Sequence, residues 1–118
     1  PNVDESLKLN ESPHNYVRRV AKLKANTISC KKQSFLITAD TTVTVGRRFL
    51  MKTFDEKRAG EYLRLLSGRR HSVFTAYCIK HNGNIISKAV KTTMKMRLMI
   101  TSKLITNFTL KQVLDKLK

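Results

Sequence analysis

The stretch Ser34-Phe35-Leu36-Ile37-Thr38-Ala39-Asp40-Thr41-Thr42-Val43-Thr44-Val45-Gly46 decides how this chain is read. Ser34 to Ala39 is a short apolar run of β-favouring residues and predicts a buried strand. Asp40 stands at the end of that run. Thr41 to Val45 continue with β-branched side chains, Gly46 turns the chain, and Arg48-Phe49-Leu50-Met51 is expected to return as a second strand of a hairpin. A carboxylate at the end of a buried strand lies where open α/β sheets place ligands. Asp40 is therefore the leading candidate for chemistry: it can hold a cation, orient water or take a proton from it. Read without its surroundings, it also suits a turn or cap.

Working outward, Ser12-Pro13 carries a helix start, with Ser12 as cap and Pro13 at the first helical position, where no N–H is needed. From Asn15 to Asn26 the apolar residues Tyr16, Val17, Val20, Ala21 and Leu23 keep helical spacing. Arg18, Arg19, Lys22 and Lys24 occupy the rest of that helix and read as a solvated basic face. Downstream, Thr53-Phe54-Asp55-Glu56 fits a capping box, Ala59, Tyr62, Leu63 and Leu66 mark one helical face, and Gly68 suits the end of that helix. His71 to Ile79 reads as a strand. Asn82-Gly83 is a strong hairpin signal, and a further strand follows from Ile85 to about Met99, with an interruption near Lys95. Thr109 to Gln112 offers a second capping box, and Leu110, Val113, Leu114 and Leu117 predict a short terminal helix. The expected fold class is α/β, a single mixed β-sheet flanked by helices, in one domain over residues 1–118.

The chain has 118 residues, 41% of them hydrophobic, enough for an ordinary core. No apolar run approaches the ~18 residues of a membrane span, so no membrane partner is expected. Cys30 and Cys78 lack the C-x-x-C spacing and read as free thiols of a reducing compartment. Lys and Arg total 24 against 8 acidic residues, a formal charge of +16. Such a surface attracts polyanions, whether nucleotides, nucleic acid or acidic membranes. His14, His71 and His81 lack zinc-ligand spacing, and neither a G-x-x-x-x-G-K-[ST] loop nor a G-x-S-x-G elbow is present. Taken singly, Lys52 reads as a surface lysine that could meet a phosphate, Glu5 as a loop carboxylate, and Ser67-Gly68-Arg69-Arg70-His71 as a helix end followed by two basic residues.

Taken together, these pieces resemble the Maf family. Asp4-Glu5, then Ser12-Pro13-His14-Asn15-Tyr16-Val17-Arg18-Arg19-Val20-Ala21-Lys22-Leu23-Lys24-Ala25, is similar to the family's D-E…P-x-x-Y-V-x-R-L-A-x-x-K-A. Ile37-Thr38-Ala39-Asp40-Thr41 is similar to its I-G-A-D-T, and Met51-Lys52-Thr53 stands where the family writes G-K-P. Ala59 through Ser67-Gly68-Arg69-Arg70-His71-Ser72-Val73-Phe74-Thr75 resembles A-x-x-x-L-x-x-L-S-G-R-x-H-x-V-Y-T. The matches are collinear over about residues 4–77. Thr38 and Ala76 replace usual glycines. The family's opening S-x-S-P-R-R and closing I-Q-G segments have no counterpart here, and residues 95–118 match poorly, so the chain is expected to be an incomplete copy of the Maf/ITPase-like fold.

The resemblance implies a cytoplasmic nucleoside triphosphate pyrophosphatase that hydrolyses its substrate to monophosphate and diphosphate with a divalent cation, Mg²⁺ or Mn²⁺. The A-D-T form resembles the dTTP/UTP-hydrolysing branch, and the family pairs as homodimers and is linked to septum formation. By the same resemblance Asp40 is the catalytic carboxylate and a metal ligand, Glu5 a second metal and substrate ligand, and Lys52 and Lys24 contact phosphate. The alternative is a small basic nucleic-acid-binding protein. It rests on the charge of +16 and lacks an RNP, zinc-finger or helix-turn-helix pattern.

Overall fold

A computed structural model describes residues 2–29 and 31–98. Cys30, the Thr109 capping box and the helix expected over Leu110–Leu117 lie outside the described residues. The elements are α1 (Pro13–Thr27), β1 (Phe35–Val45), β2 (Arg48–Leu50), α2 (Glu56–Leu66), β3 (Arg70–His81) and β4 (Asn84–Lys95). The four strands form one sheet in the order β2-β1-β3-β4. β1 and β2 pair antiparallel, with Val43 opposite Leu50 and Val45 opposite Arg48. β1 and β3 run antiparallel as well, since Ser34 meets His81 while Thr41 meets Thr75. Asn82 and Gly83 take positive φ values of 49° and 81°, as a tight hairpin turn between β3 and β4 requires. The α/β class with one helix-bearing sheet is thus observed, but the sheet is antiparallel and not mixed, because its neighbouring strands are joined by hairpins or run back against each other. Among the described residues no helix is long and apolar enough to cross a membrane.

The described residues divide into two compact units, those up to 41 with 74–91, and 42–73 with 92–98. In the first, α1 begins as expected: Ser12 Oγ accepts from the Asn15 N–H at 3.2 Å, with Pro13 just inside. Its buried face is Tyr16, Val17, Val20, Ala21 and Ala25. Ala21 is small enough for the helix backbone to come close to β1, and Thr38 Oγ1 donates to the Ala21 carbonyl at 2.7 Å. The threonine found where the family has glycine is thereby satisfied rather than stranded, and the methyl of Ala76, at the other such position, is fully buried.

Two expectations for β1 are overturned here. The run from Ser34 to Ala39 is not a strand buried on both faces: Phe35 and Ile37 are 70% and 67% exposed, while the polar Thr38 and Asp40 are buried. The alternation of the pleat turns Thr38 and Asp40 to one face and Phe35 and Ile37 to the other. Nor does Asp40 end the strand. The β-branched residues that follow carry β1 on to Val45, and the turn waits for Gly46 at φ +59°.

In the second unit, Val43, Val45 and Leu50 pack with Tyr62, Leu63 and Leu66 of α2, and Leu65, Val73 and Met96 join at the margin. Burying a side chain such as Leu66 contributes about 1.5–3 kcal/mol, and helical spacing delivers the expected face of Ala59, Tyr62, Leu63 and Leu66. The Thr53–Glu56 capping box does not form. Asp55 is the cap, accepting from the Lys57 N–H at 3.0 Å, while Thr53 Oγ1 accepts from the Asp55 N–H. Glu56 is then the first helical residue, too early to reach back as a box requires. After α2, Gly68 sits at φ +69°, where an added Cβ would come within 3.0 Å of the Leu98 side chain.

Candidate functional site

The first unit gathers three of the four residues singled out above. Lys24 lies one turn beyond Val20 and Ala21, at the margin of the buried face of α1, so its long side chain can run along β1. Its ammonium lies 3.1 Å from Asp40 Oδ1, 3.3 Å from the Ala39 carbonyl and 3.7 Å from Glu5 Oε1. The two carboxylates thus share one cation. Asp40 is 9% exposed, and burial holds its carboxyl above the ordinary carboxylate range. The hydrogen bond and charge of Lys24 oppose that rise, while the negative charge of Glu5 adds to it. A proton acceptor with this poise can take a proton from water near neutrality more readily than an exposed aspartate.

Glu5 belongs to the segment before α1, which has neither helix nor strand yet is held by named contacts. Tyr16 Oη donates to the Glu5 carbonyl at 2.6 Å. Arg19 Nη2 donates to the Ser6 carbonyl at 2.8 Å and to Glu11 Oε1 at 2.9 Å, while Arg19 Nε donates to Glu11 Oε2 at 2.7 Å. The expected solvated basic face is therefore wrong for Arg19, whose charge is paired with Glu11, and for Lys24. Tyr16 and Arg19 are contacts that sequence reading missed. The signal available was their i, i+3 spacing, which puts both on one side of α1, with the Arg19 guanidinium 5.5 Å over the Tyr16 ring.

Lys52 belongs to the second unit, where its ammonium lies 5.4 Å from the centroid of the Phe54 ring. Among the described residues no three His, Cys, Asp or Glu side chains converge as a metal cage. Asp40 and Glu5 nevertheless form a donor set that suits Mg²⁺. That ion takes hard oxygen ligands, commonly one or two carboxylates, and completes its shell with water and substrate phosphates.

This arrangement of a buried aspartate, a helix lysine and a loop glutamate sits on a chain of recognised descent. A sequence model of the family described as Maf-like protein matches residues 1–116, and the chain belongs to that family. Among its relatives, it is 40% identical over 101 residues to a nucleoside triphosphate pyrophosphatase of Anaplasma marginale (strain Florida), covering 84% of this chain and 52% of that protein. It is 36% identical over 97 residues to a dTTP/UTP pyrophosphatase of Ruegeria sp. (strain TM1040), covering 82% and 50%. To a dTTP/UTP pyrophosphatase of Zymomonas mobilis it is 47% identical over 79 residues, covering 66% and 39%. The chain spans about half the length of the curated relatives it matches.

Proposed function

We propose that this chain carries the carboxylate-and-lysine part of a nucleoside triphosphate pyrophosphatase site, with dTTP or UTP as the preferred substrate. The reading is supported above all by Asp40, a largely buried carboxylate whose ionised form is held by Lys24 and lies next to a second acid, Glu5. Burying this aspartate costs stability that Lys24 repays only in part, and strongly perturbed groups of that kind cluster at functional sites. The relatives' names supply the substrate class, and the formal charge of +16 favours the approach of a polyanionic nucleotide.

In the proposed reaction, a water attacks the phosphorus next to the sugar while Asp40 accepts its proton. The bond to the bridging oxygen breaks, and diphosphate leaves with the electron pair. Lys24 offsets charge on the phosphate oxygens once substrate competes for its ammonium, and Lys52 supplies a further positive charge by family resemblance. A divalent cation held by Asp40 and Glu5 would act as a Lewis acid and neutralise triphosphate charge. Mg²⁺ or Mn²⁺, a cytoplasmic setting and a homodimer complete the reading, again by resemblance.

The test incubates the chain with dTTP or UTP and Mg²⁺ or Mn²⁺ and measures diphosphate release against the Asp40→Asn variant. Removing the proton acceptor is expected to cut turnover by about 10²–10⁴-fold. The thermal midpoint should hold or rise, because the amide removes the charge that burial penalises. Equal release from both proteins, or none from the native chain, overturns the assignment.

A further inference from the structure

Glu5 poses a physical problem. Its side chain is about half exposed, on a segment with no helix or strand, and its ion pair with Lys24 spans 3.7 Å. An ion pair that exposed contributes little positional restraint. What fixes Glu5 is its backbone. Its own carbonyl accepts the 2.6 Å bond from Tyr16 Oη, and the next carbonyl, that of Ser6, accepts the 2.8 Å bond from Arg19 Nη2. Two consecutive peptide groups, the first of them following the Glu5 Cα and the two flanking the Ser6 Cα, are therefore anchored to side chains one turn apart on α1.

The far end of the segment is tied to the same guanidinium. Arg19 grips both oxygens of Glu11, whose Oε1 also accepts from the Lys8 N–H at 3.2 Å, while the Ser6 N–H donates to Asp4 Oδ1 at 3.0 Å. Residues 4–11 are thus folded back against α1 by a fork whose planar geometry suits two-pronged carboxylate binding.

We propose that Tyr16 and Arg19 are positioning residues, holding residues 4–11 so that the Glu5 carboxylate stays beside Lys24 and Asp40, where it serves the divalent cation. The inference rests on the pyrophosphatase reading of that site. It also assigns the Arg19 charge to Glu11 and not to substrate phosphate.

Tyr16→Phe tests this in the full chain, since it removes one oxygen and keeps the buried ring. Three readouts are taken: amide hydrogen exchange over residues 5–11, the Mn²⁺ concentration that half-saturates diphosphate release, and direct Mn²⁺ binding followed by the paramagnetic signal of the free ion. Exchange over 5–11 should quicken, and the Mn²⁺ requirement should rise about 10-fold, the low end for outer partners of metal ligands. The KM for nucleotide at saturating Mn²⁺ should stay within about 2-fold.

Adding Glu5→Gln to Tyr16→Phe should raise the Mn²⁺ requirement no further than Glu5→Gln alone, since the hydroxyl acts through Glu5. Additive losses, or unchanged exchange with unchanged Mn²⁺ binding, overturn the proposal. Arg19→Lys keeps the charge and loses the fork. It should move exchange and Mn²⁺ binding in the same direction, and it decides the matter if Tyr16→Phe fails to fold. If native chain and variant both release no diphosphate, the pyrophosphatase reading falls. The clamp is then judged on exchange and Mn²⁺ binding: weaker binding in the variant upholds it, and equal binding with equal exchange refutes it.

Discussion

α1 and α2 each pack on part of β1, and they bury opposite chemistry. Up to Thr41 the strand turns Thr38 and Asp40 inward and leaves Phe35 and Ile37 in water. From Thr42 on it buries Val43 and Val45 against Tyr62, Leu63 and Leu66. The first arrangement costs free energy, since a carboxylate leaves water and is repaid only in part by Lys24. The second gains it through aliphatic packing. If Asp40 serves the proposed reaction, stability and chemistry are drawn from different stretches of the same strand, and substitutions should separate them.

The largest expected effect on stability comes from the aliphatic side. Leu66 is 2% exposed, and Leu66→Ala should destabilise by about 2–5 kcal/mol, read as a lowered denaturant midpoint. Turnover per folded molecule should be unchanged. A loss of turnover as large as that of Asp40→Asn would break the separation.

Lys24→Met should act in the opposite sense, on chemistry first. It leaves Asp40 buried beside Glu5 without its cation, at a cost of about 1–2 kcal/mol for a partly exposed pair. The pH dependence sharpens the point. Because burial raises the folded carboxyl of Asp40, the native state holds its proton more tightly than the unfolded chain does. Ionising Asp40 therefore costs stability as pH climbs above the ordinary 3.8. Removing Lys24 takes away the opposing pull, so the loss extends to higher pH and the acid limb of activity moves up with it. Melting points and rates across about pH 4–8 check both shifts. Coincident curves for native and variant would count against Lys24 as the group that lowers Asp40.

The smallest effect is expected at Thr38. Thr38→Val keeps the shape and deletes the hydroxyl that donates to the Ala21 carbonyl, for about 0.5–1.5 kcal/mol. That carbonyl retains its place in the α1 ladder, which limits the damage. A loss above about 3 kcal/mol would mean that the bond holds α1 and β1 together more strongly than an ordinary buried hydrogen bond does.

The aliphatic region was the more legible in the sequence. The face of α2 follows from 3.6-residue spacing at Ala59, Tyr62, Leu63 and Leu66, and the hairpin turns follow from Gly46 and Asn82-Gly83, because these signals are local. β1 was read with its burial inverted near Phe35 and Ile37. Hydrophobicity marks a strand without saying which face meets a helix, and only the partner, here the Ala21 carbonyl awaiting Thr38, decides it. Asp40, Lys24 and Glu5, which the family resemblance singles out, do lie together in the first unit, with the Lys24 ammonium between the two carboxylates. The roles of Tyr16 and Arg19 are less legible: their i, i+3 spacing puts them on one side of α1, but the backbone carbonyls of Glu5 and Ser6 that they bind carry no mark in the sequence.

Phe35, Ile37, Ile86 and Val90 present greasy surface to the solvent on a chain of formal charge +16. Such patches draw copies of a protein together, while like charge holds them apart. Mutual repulsion is screened within about 8 Å at physiological ionic strength and within about 3 Å at molar salt. Colloidal behaviour therefore hinges on ions in the buffer: dilute electrolyte keeps molecules dispersed, and concentrated electrolyte uncovers their stickiness.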